Sequence, residues 1–157
     1  MTMEDKQLKV TAIKNGTVLD HIPAENLFKV IDILHLTQAG NQITIGSNLD
    51  SKSLGKKGII KISERFFEDE EINRIALVAP QATINIIKDF NVVEKKIISI
   101  PESVIGIAKC MNPMCVTNHE NIETRFSTIV KGKEISLLCH YCEKVTDSKN
   151  LIIKSDK

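Results

Sequence analysis

Short apolar runs along the first hundred residues switch between two repeats, every second position and about every 3.6, the marks of strand and helix. Leu8-Lys9-Val10-Thr11-Ala12-Ile13 alternates apolar with polar and breaks at Asn15-Gly16, which predicts a strand and a turn. Pro23 opens a helix, with Leu27, Val30, Ile31 and Leu34 on one face. Gly40-Asn41 ends that region, and Gln42 to Gly46 reads as a second strand. A polar, glycine-containing loop from Asp50 to Lys57 leads to a third strand at Ile59 to Ile62. Glu68-Asp69-Glu70-Glu71 places acids in the first turn of a second helix, where the helix dipole favours negative charge. Ile72, Ile75, Ala76 and Ala79 form its buried stripe and Pro80 stops it. Thr83 to Ile87 is a fourth strand, and Val92 to Ile98 a fifth after a turn at Asp89 to Asn91.

This order, β-α-β-β-α-β plus one strand, is the split βαβ, ferredoxin-like arrangement. Both helices would cover one face of a mostly antiparallel sheet, leaving the other face or an edge for an interface; a dimer is expected. Pro101-Glu102-Ser103 reads as a hinge. Beyond it the helical period vanishes, and short β-rich runs remain at Glu123 to Val130, Ile135 to Leu138 and Leu151 to Ile153. The expected class is α+β: a ferredoxin-like βαββαβ(β) domain over residues 1–100 and a β-rich, zinc-ribbon-like domain over residues 101–157.

The cysteines change the picture of the second part. There are four, all within it, in two close pairs: Cys110 with Cys115, and Cys139 with Cys142. Cys-x4-Cys and Cys-x2-Cys turns suit tetrahedral zinc, and the 23 residues between them suffice for a hairpin. Four thiolates saturate the ion, so the site is expected to be structural, one zinc per chain. A module of about fifty residues also needs such a staple. A thioredoxin-like role for Cys142 lacks the helix that should follow it. His119 and His140 are expected to be bystanders, and His35 to be solvated.

Charge and composition exclude more than they suggest. The net charge is +1, which gives no general pull toward nucleic acid or an anionic membrane. The start, Met1 to Gln7, is polar and acidic, unlike a signal or transit peptide, and no apolar run approaches a membrane span. A cytosolic protein is expected, where paired cysteines are metal ligands more often than disulfides. There Asn15-Gly16-Thr17 reads as a turn rather than a glycosylation site. Gly55-Lys56-Lys57-Gly58 lacks the spacing of a phosphate-binding loop, and neither a nucleophile elbow nor a zinc-protease motif is found. Asp20-His21, Lys61 and Lys95-Lys96 would suit ribose and polyphosphate; spacing alone fits solvated surface charges as well. An RNA-recognition module needs aromatics on its central strands, and aromatics make up 4% of the chain.

Several segments together carry a resemblance. They are Gly16 to Ala24, Ile43-Thr44-Ile45-Gly46, Ile60-Lys61-Ile62, Ala79 to Asn85, and Cys139-x-Tyr141-Cys142-Glu143-Lys144. In this order, with this cysteine spacing, the chain resembles the regulatory chain of aspartate carbamoyltransferase over nearly its whole length. The resemblance implies a non-catalytic allosteric subunit of pyrimidine biosynthesis, in which regulatory dimers join catalytic trimers. It implies that the first domain binds CTP and UTP as inhibitors and ATP as activator, and that the zinc domain docks on the catalytic chain. By position, Val10, Ala12 and Ile13 would line the base, closed over by Ile87, Phe90 and Val92. Asp20 would hold the ribose, with Lys61 near ribose and base. His21 and Lys95 would face the triphosphate, and Asn85 would support the pocket. Asn112 and Glu143 would contact the catalytic chain. Thr11, Asp50, Phe90 and Met114 depart from the family pattern, which has an acid, a proline, a tyrosine and an asparagine there. The competing reading is a zinc-ribbon nucleic-acid or transcription protein, which predicts a basic stripe that the sequence lacks.

Overall fold

The computed structural model describes residues 12–132 and 134–154. The alternating segment from Leu8 to Thr11 therefore lies outside the described residues. Strand β1 is Gly16–Pro23, the stretch read above as a turn and a helix start. A register shift between Leu19 and Ile22, with His21 at φ 59°, explains the difference. This β-bulge inserts a residue, so that Leu19 and Ile22 both face the core and the period of two is lost.

Helix α1 is Leu27–Ile33, entered through a 3₁₀ turn at Ala24–Asn26. Strands β2 (Ile43–Ser51) and β3 (Gly55–Ser63) form a hairpin. Most of the predicted loop at 50–57 is thus strand. Its residues are largely exposed on both faces, so no apolar alternation marks it. Helix α2 is Asp69–Val78; Glu71 Oε1 accepts from the Glu68 amide at 3.2 Å, a capping-box contact. Strands β4 (Thr83–Lys88) and β5 (Asn91–Ile97) follow.

The five strands run in the order β2-β3-β1-β4-β5, every neighbour antiparallel. Leu19, Ile22, Ile60, Ile62 and Ile84 face inward to Leu27, Val30, Ile31, Ile75 and Ala76 of the two helices, all fully or almost fully buried. Two glycines permit this packing. A Cβ on Gly58 would lie 2.7 Å from the Leu27 side chain, and one on Gly16 would lie 2.1 Å from the Ile62 carbonyl oxygen. Gly58 therefore belongs to the strand–helix contact.

The cysteine-bearing part contains β6 (Ser103–Ile105), β7 (Ala108–Lys109), β8 (Arg125–Lys131), β9 (Glu134–Cys139), β10 (Val145–Thr146) and β11 (Ile152–Ile153). They form a four-stranded sheet, β10-β9-β8-β6, and a two-stranded one, β11-β7. Val104, Ala108, Phe126, Ile135, Leu137 and Leu151 are buried around it. Thr128 Oγ1 donates to the Pro101 carbonyl at 2.6 Å, and its amide to Glu102 at 3.0 Å, tying the connecting segment to β8. A groove between the two parts is lined by Lys29, Asp32 and Ile33 of α1 and by Leu151 to Lys154. No helix among the described residues is long and apolar enough to cross a membrane.

Candidate functional site

The sheet face opposite the helices gathers most of the predicted side chains. Directly paired residues of an antiparallel ladder share a face. Thr44 pairs with Lys61, Lys61 with Val18, Val18 with Asn85, and Asn85 with Lys95. Lys61, Asn85 and Lys95 therefore stand in one row across the sheet. Lys96 pairs with Ile84 of the buried face, so it parts company with Lys95.

Asp20 and His21 lie beside this row at the bulge. Lys57 Nζ is 2.9 Å from Asp20 Oδ1, and the His21 amide donates to the same oxygen at 2.6 Å. The His21 ring lies 3.3 Å from Thr83 Oγ1. Burial acts to raise the Asp20 carboxyl, but Lys57 and the His21 amide outweigh it and hold the group below the usual carboxylate range. The sequence pattern hides Lys57, because it marks the third strand only from Ile59 whereas β3 begins four residues earlier, at Gly55. Lys57 and Lys61 are four residues apart on β3 and so share a face.

The other end of the face is apolar. Ile87 pairs with Gly16 and Val92. Ile13 and Ile87 are buried, yet neither belongs to the main core. Phe90 and Val92 are exposed, as is Ala12. The Phe90 amide donates to the Lys14 carbonyl at 2.9 Å, which places the β4–β5 turn against the residues leading into β1. Val10 and Thr11 lie outside the described residues. The face thus runs from apolar at the turn to cationic around Lys57, Lys61 and Lys95, with His21 beside them.

The four cysteines converge. Their sulfurs lie within 4.8 Å of one another, with Cys110–Cys142 and Cys115–Cys139 at 3.7 Å. A tetrahedron with metal–sulfur bonds of about 2.3 Å has edges of about 3.8 Å, so the donor set fits such an ion. Burial pushes the Cys110 thiol up to about 12 and raises Cys139. At Cys142 burial is outweighed by the Asn112 side chain, the Lys144 amide and the neighbouring thiols, which bring it down to about 7. A divalent cation supplies the charge that lets all four ionise. Among the described residues neither His119 nor His140 joins the cluster; the His140 amide donates to the Arg125 carbonyl, and its ring meets Tyr141 edge-on at 5.2 Å.

Two further predicted residues flank these ligands. Asn112 is half-buried: its Oδ1 accepts from the Met114 amide, its carbonyl from the Asn118 side chain, and its own side-chain amide reaches the Cys142 sulfur. Glu143 is exposed and adopts φ 63°, a conformation that favours glycine. Met114 is 79% exposed, and Met111 and Tyr141 are also exposed. Asp50 is exposed, with its carboxylate 2.6 Å from Lys56 Nζ.

Comparison with known proteins finds two family models that match the chain. Residues 8–99 match the family model described as aspartate carbamoyltransferase regulatory chain, allosteric domain. Residues 102–152 match the metal-binding domain of the same chain. The aspartate carbamoyltransferase regulatory chain of Bacteroides thetaiotaomicron is 55% identical over 151 residues, covering 96% of this chain and 98% of its own. That of Parabacteroides distasonis is 50% identical over 149 residues, covering 95% and 96%. That of the archaeon Thermococcus onnurineus is 47% identical over 147 residues, covering 93% and 97%. These matches, in keeping with the α+β fold and the cysteine cluster, establish that the chain belongs to the aspartate carbamoyltransferase regulatory chain family, and that it is a regulatory rather than a catalytic chain.

Proposed function

We infer that the outer face of the five-stranded sheet is an allosteric nucleoside triphosphate site in a pyrimidine-biosynthetic enzyme, and that the cysteine domain fastens it to the catalytic chain. The observation that carries this is the row of Lys61, Asn85 and Lys95, with Asp20 and His21 beside it and an apolar end at Ile13 and Ile87. Lysines and a histidine suit a triphosphate, the Asp20 carboxylate suits ribose hydroxyls, and the apolar end suits a base. Val10 and Ala12 would complete the base pocket, with Phe90 and Val92 closing it.

CTP and UTP would inhibit and ATP activate. They share ribose and triphosphate contacts, so base size must supply the opposite sign. A purine would push the pocket walls apart where a pyrimidine draws them in. The effect on the catalytic chain is linkage: a nucleotide that prefers one quaternary state shifts the assembly by about 1–3 kcal/mol.

Zinc would be held by Cys110, Cys115, Cys139 and Cys142, where it closes a structural site and leaves no position for substrate. Glu143 and Asn112 would face the catalytic chain from the knuckles that the metal orders. Glu143 supports this reading, because a non-glycine residue is held at positive φ there, and such strain often accompanies function. The β2 edge supports a regulatory dimer: Ile45 and Leu49 are exposed on it, and Phe28, 68% exposed, shares a groove with Ser47 and Asn48. The proposed units are residues 1–100 and 101–157, working in the cytoplasm.

Two measurements test this. Zinc-loaded chain mixed with catalytic trimer should form a larger assembly whose aspartate response shifts with CTP and ATP; absence of any assembly would sink the reading. Lys95→Ala should weaken CTP binding to the full chain by at least about tenfold, the loss of a charge-assisted hydrogen bond of about 1.5–3 kcal/mol. Unchanged affinity would remove the proposed triphosphate contact.

A further inference from the structure

The turn between β4 and β5 is built against its own preference. Asp89 and Phe90 both have positive φ, 50° and 66°, the geometry of a two-residue hairpin that favours Asn-Gly. Neither residue is glycine; inside the turn Asn91 Nδ2 donates to the Asp89 carbonyl at 2.9 Å, and two further contacts reach it from outside the hairpin. The Asp89 amide donates to Asn15 Oδ1 at 3.2 Å, and the Phe90 amide to the Lys14 carbonyl at 2.9 Å. The Asn15 carbonyl accepts from the Glu64 amide at 2.9 Å, which anchors Asn15 to the end of β3. On the hairpin's other side Lys88 Nζ sits 5.8 Å from the Phe66 ring centre. One asparagine therefore links the end of β3, the entry to β1 and the strained turn.

These elements are the two walls of the apolar end of the outer face. Ala12 and Ile13 precede Asn15 on one side; Ile87, Phe90 and Val92 flank the turn on the other. Lys95 is five residues along β5 from Phe90, about 17 Å in an extended strand. A clamp at Asn15 acts on the base end and leaves the phosphate end alone.

We propose that Asn15 is a positioning residue that fixes the spacing of the base-pocket walls, so that it governs discrimination between pyrimidine and purine rather than overall affinity. This rests on the nucleotide reading above. It also gives Asn15, which begins an Asn-Gly-Thr triplet, a role unrelated to glycosylation.

The test uses zinc-loaded full-length chain and calorimetric titration with CTP and with ATP. Asn15→Ala should change the CTP-to-ATP affinity ratio by about threefold to tenfold, the worth of one hydrogen bond, with the melting temperature lowered by no more than about 2–4 °C. Asn15→Asp keeps the accepting oxygen and should keep the ratio. Asp89→Gly added to Asn15→Ala should restore it, because glycine adopts the turn geometry unaided. Amide exchange at Asp89 should quicken in Asn15→Ala alone. Equal weakening of both nucleotides, or an unchanged ratio with quickened exchange, overturns the clamp while leaving the nucleotide site standing. Wild-type chain that binds neither nucleotide overturns the site itself, and the clamp with it.

Discussion

The two halves of the chain solve the problem of stability differently. The first lays two helices on a five-stranded sheet and buries Leu19, Ile22, Leu27, Val30, Ile60, Ile62, Ile75 and Ile84 completely. The second has short strands, few buried apolar side chains, and a cluster of four sulfurs at its centre. A half held by apolar area tolerates a loosened contact by degrees. A half held by one ion is present or absent with that ion. The proposed effector sensing would sit on the first kind of structure and the proposed docking on the second, so the two functions should be separable by experiment.

The largest effect should come from the metal. Chelation, or Cys139→Ser, should abolish the β10-β9-β8-β6 sheet, because structural zinc contributes on the order of 10 kcal/mol to such modules. Loss of the Phe126 and Leu137 NMR signals from their folded positions, with those of β1 and β4 retained, is the expected reading. Nucleotide binding should outlast assembly with catalytic trimer. Simultaneous collapse of both sheets would erase the contrast.

A core cavity should act on the first half alone. Ile60→Ala should cost about 2–5 kcal/mol in urea denaturation followed by signals of the five-stranded sheet, while zinc stoichiometry stays at one per chain. The smallest effect belongs to the Asp20–Lys57 pair. Asp20 is held below its ordinary value of 3.8, so the pair stabilises the folded state above that pH, and its contribution is lost as pH falls through the depressed value. Lys57→Met should cost at most about 1 kcal/mol at pH 7, since both side chains keep some solvent contact. The difference from wild type should shrink as the solution is acidified toward pH 3. A difference that grows with acid would contradict the sign.

The comparison also separates what was legible in the sequence. Both helices and strands β4 and β5 were visible because their apolar repeats run unbroken between turn signals. Strand β1 was hidden by the bulge at Asp20–His21, which shifts the repeat where two candidate site residues stand. The far end of the β2–β3 hairpin, Asp50 to Lys57, looked like loop because neither face is covered there. That error concealed Lys57, the partner of Asp20. The metal cluster was legible throughout, since ligand spacing survives in sequence where packing does not. The row of Lys61, Asn85 and Lys95 could not be read locally, because strand register and not chain distance brings them together.

Glu143 bears on how this chain could be engineered. Glycine at that position would relieve its φ of 63° and is the substitution that a search for thermostability would select. It would also delete the carboxylate proposed to meet the catalytic chain. A Glu143→Gly protein should thus be sturdier alone and poorer in company: it would bind its nucleotides, keep its metal, and report to no enzyme.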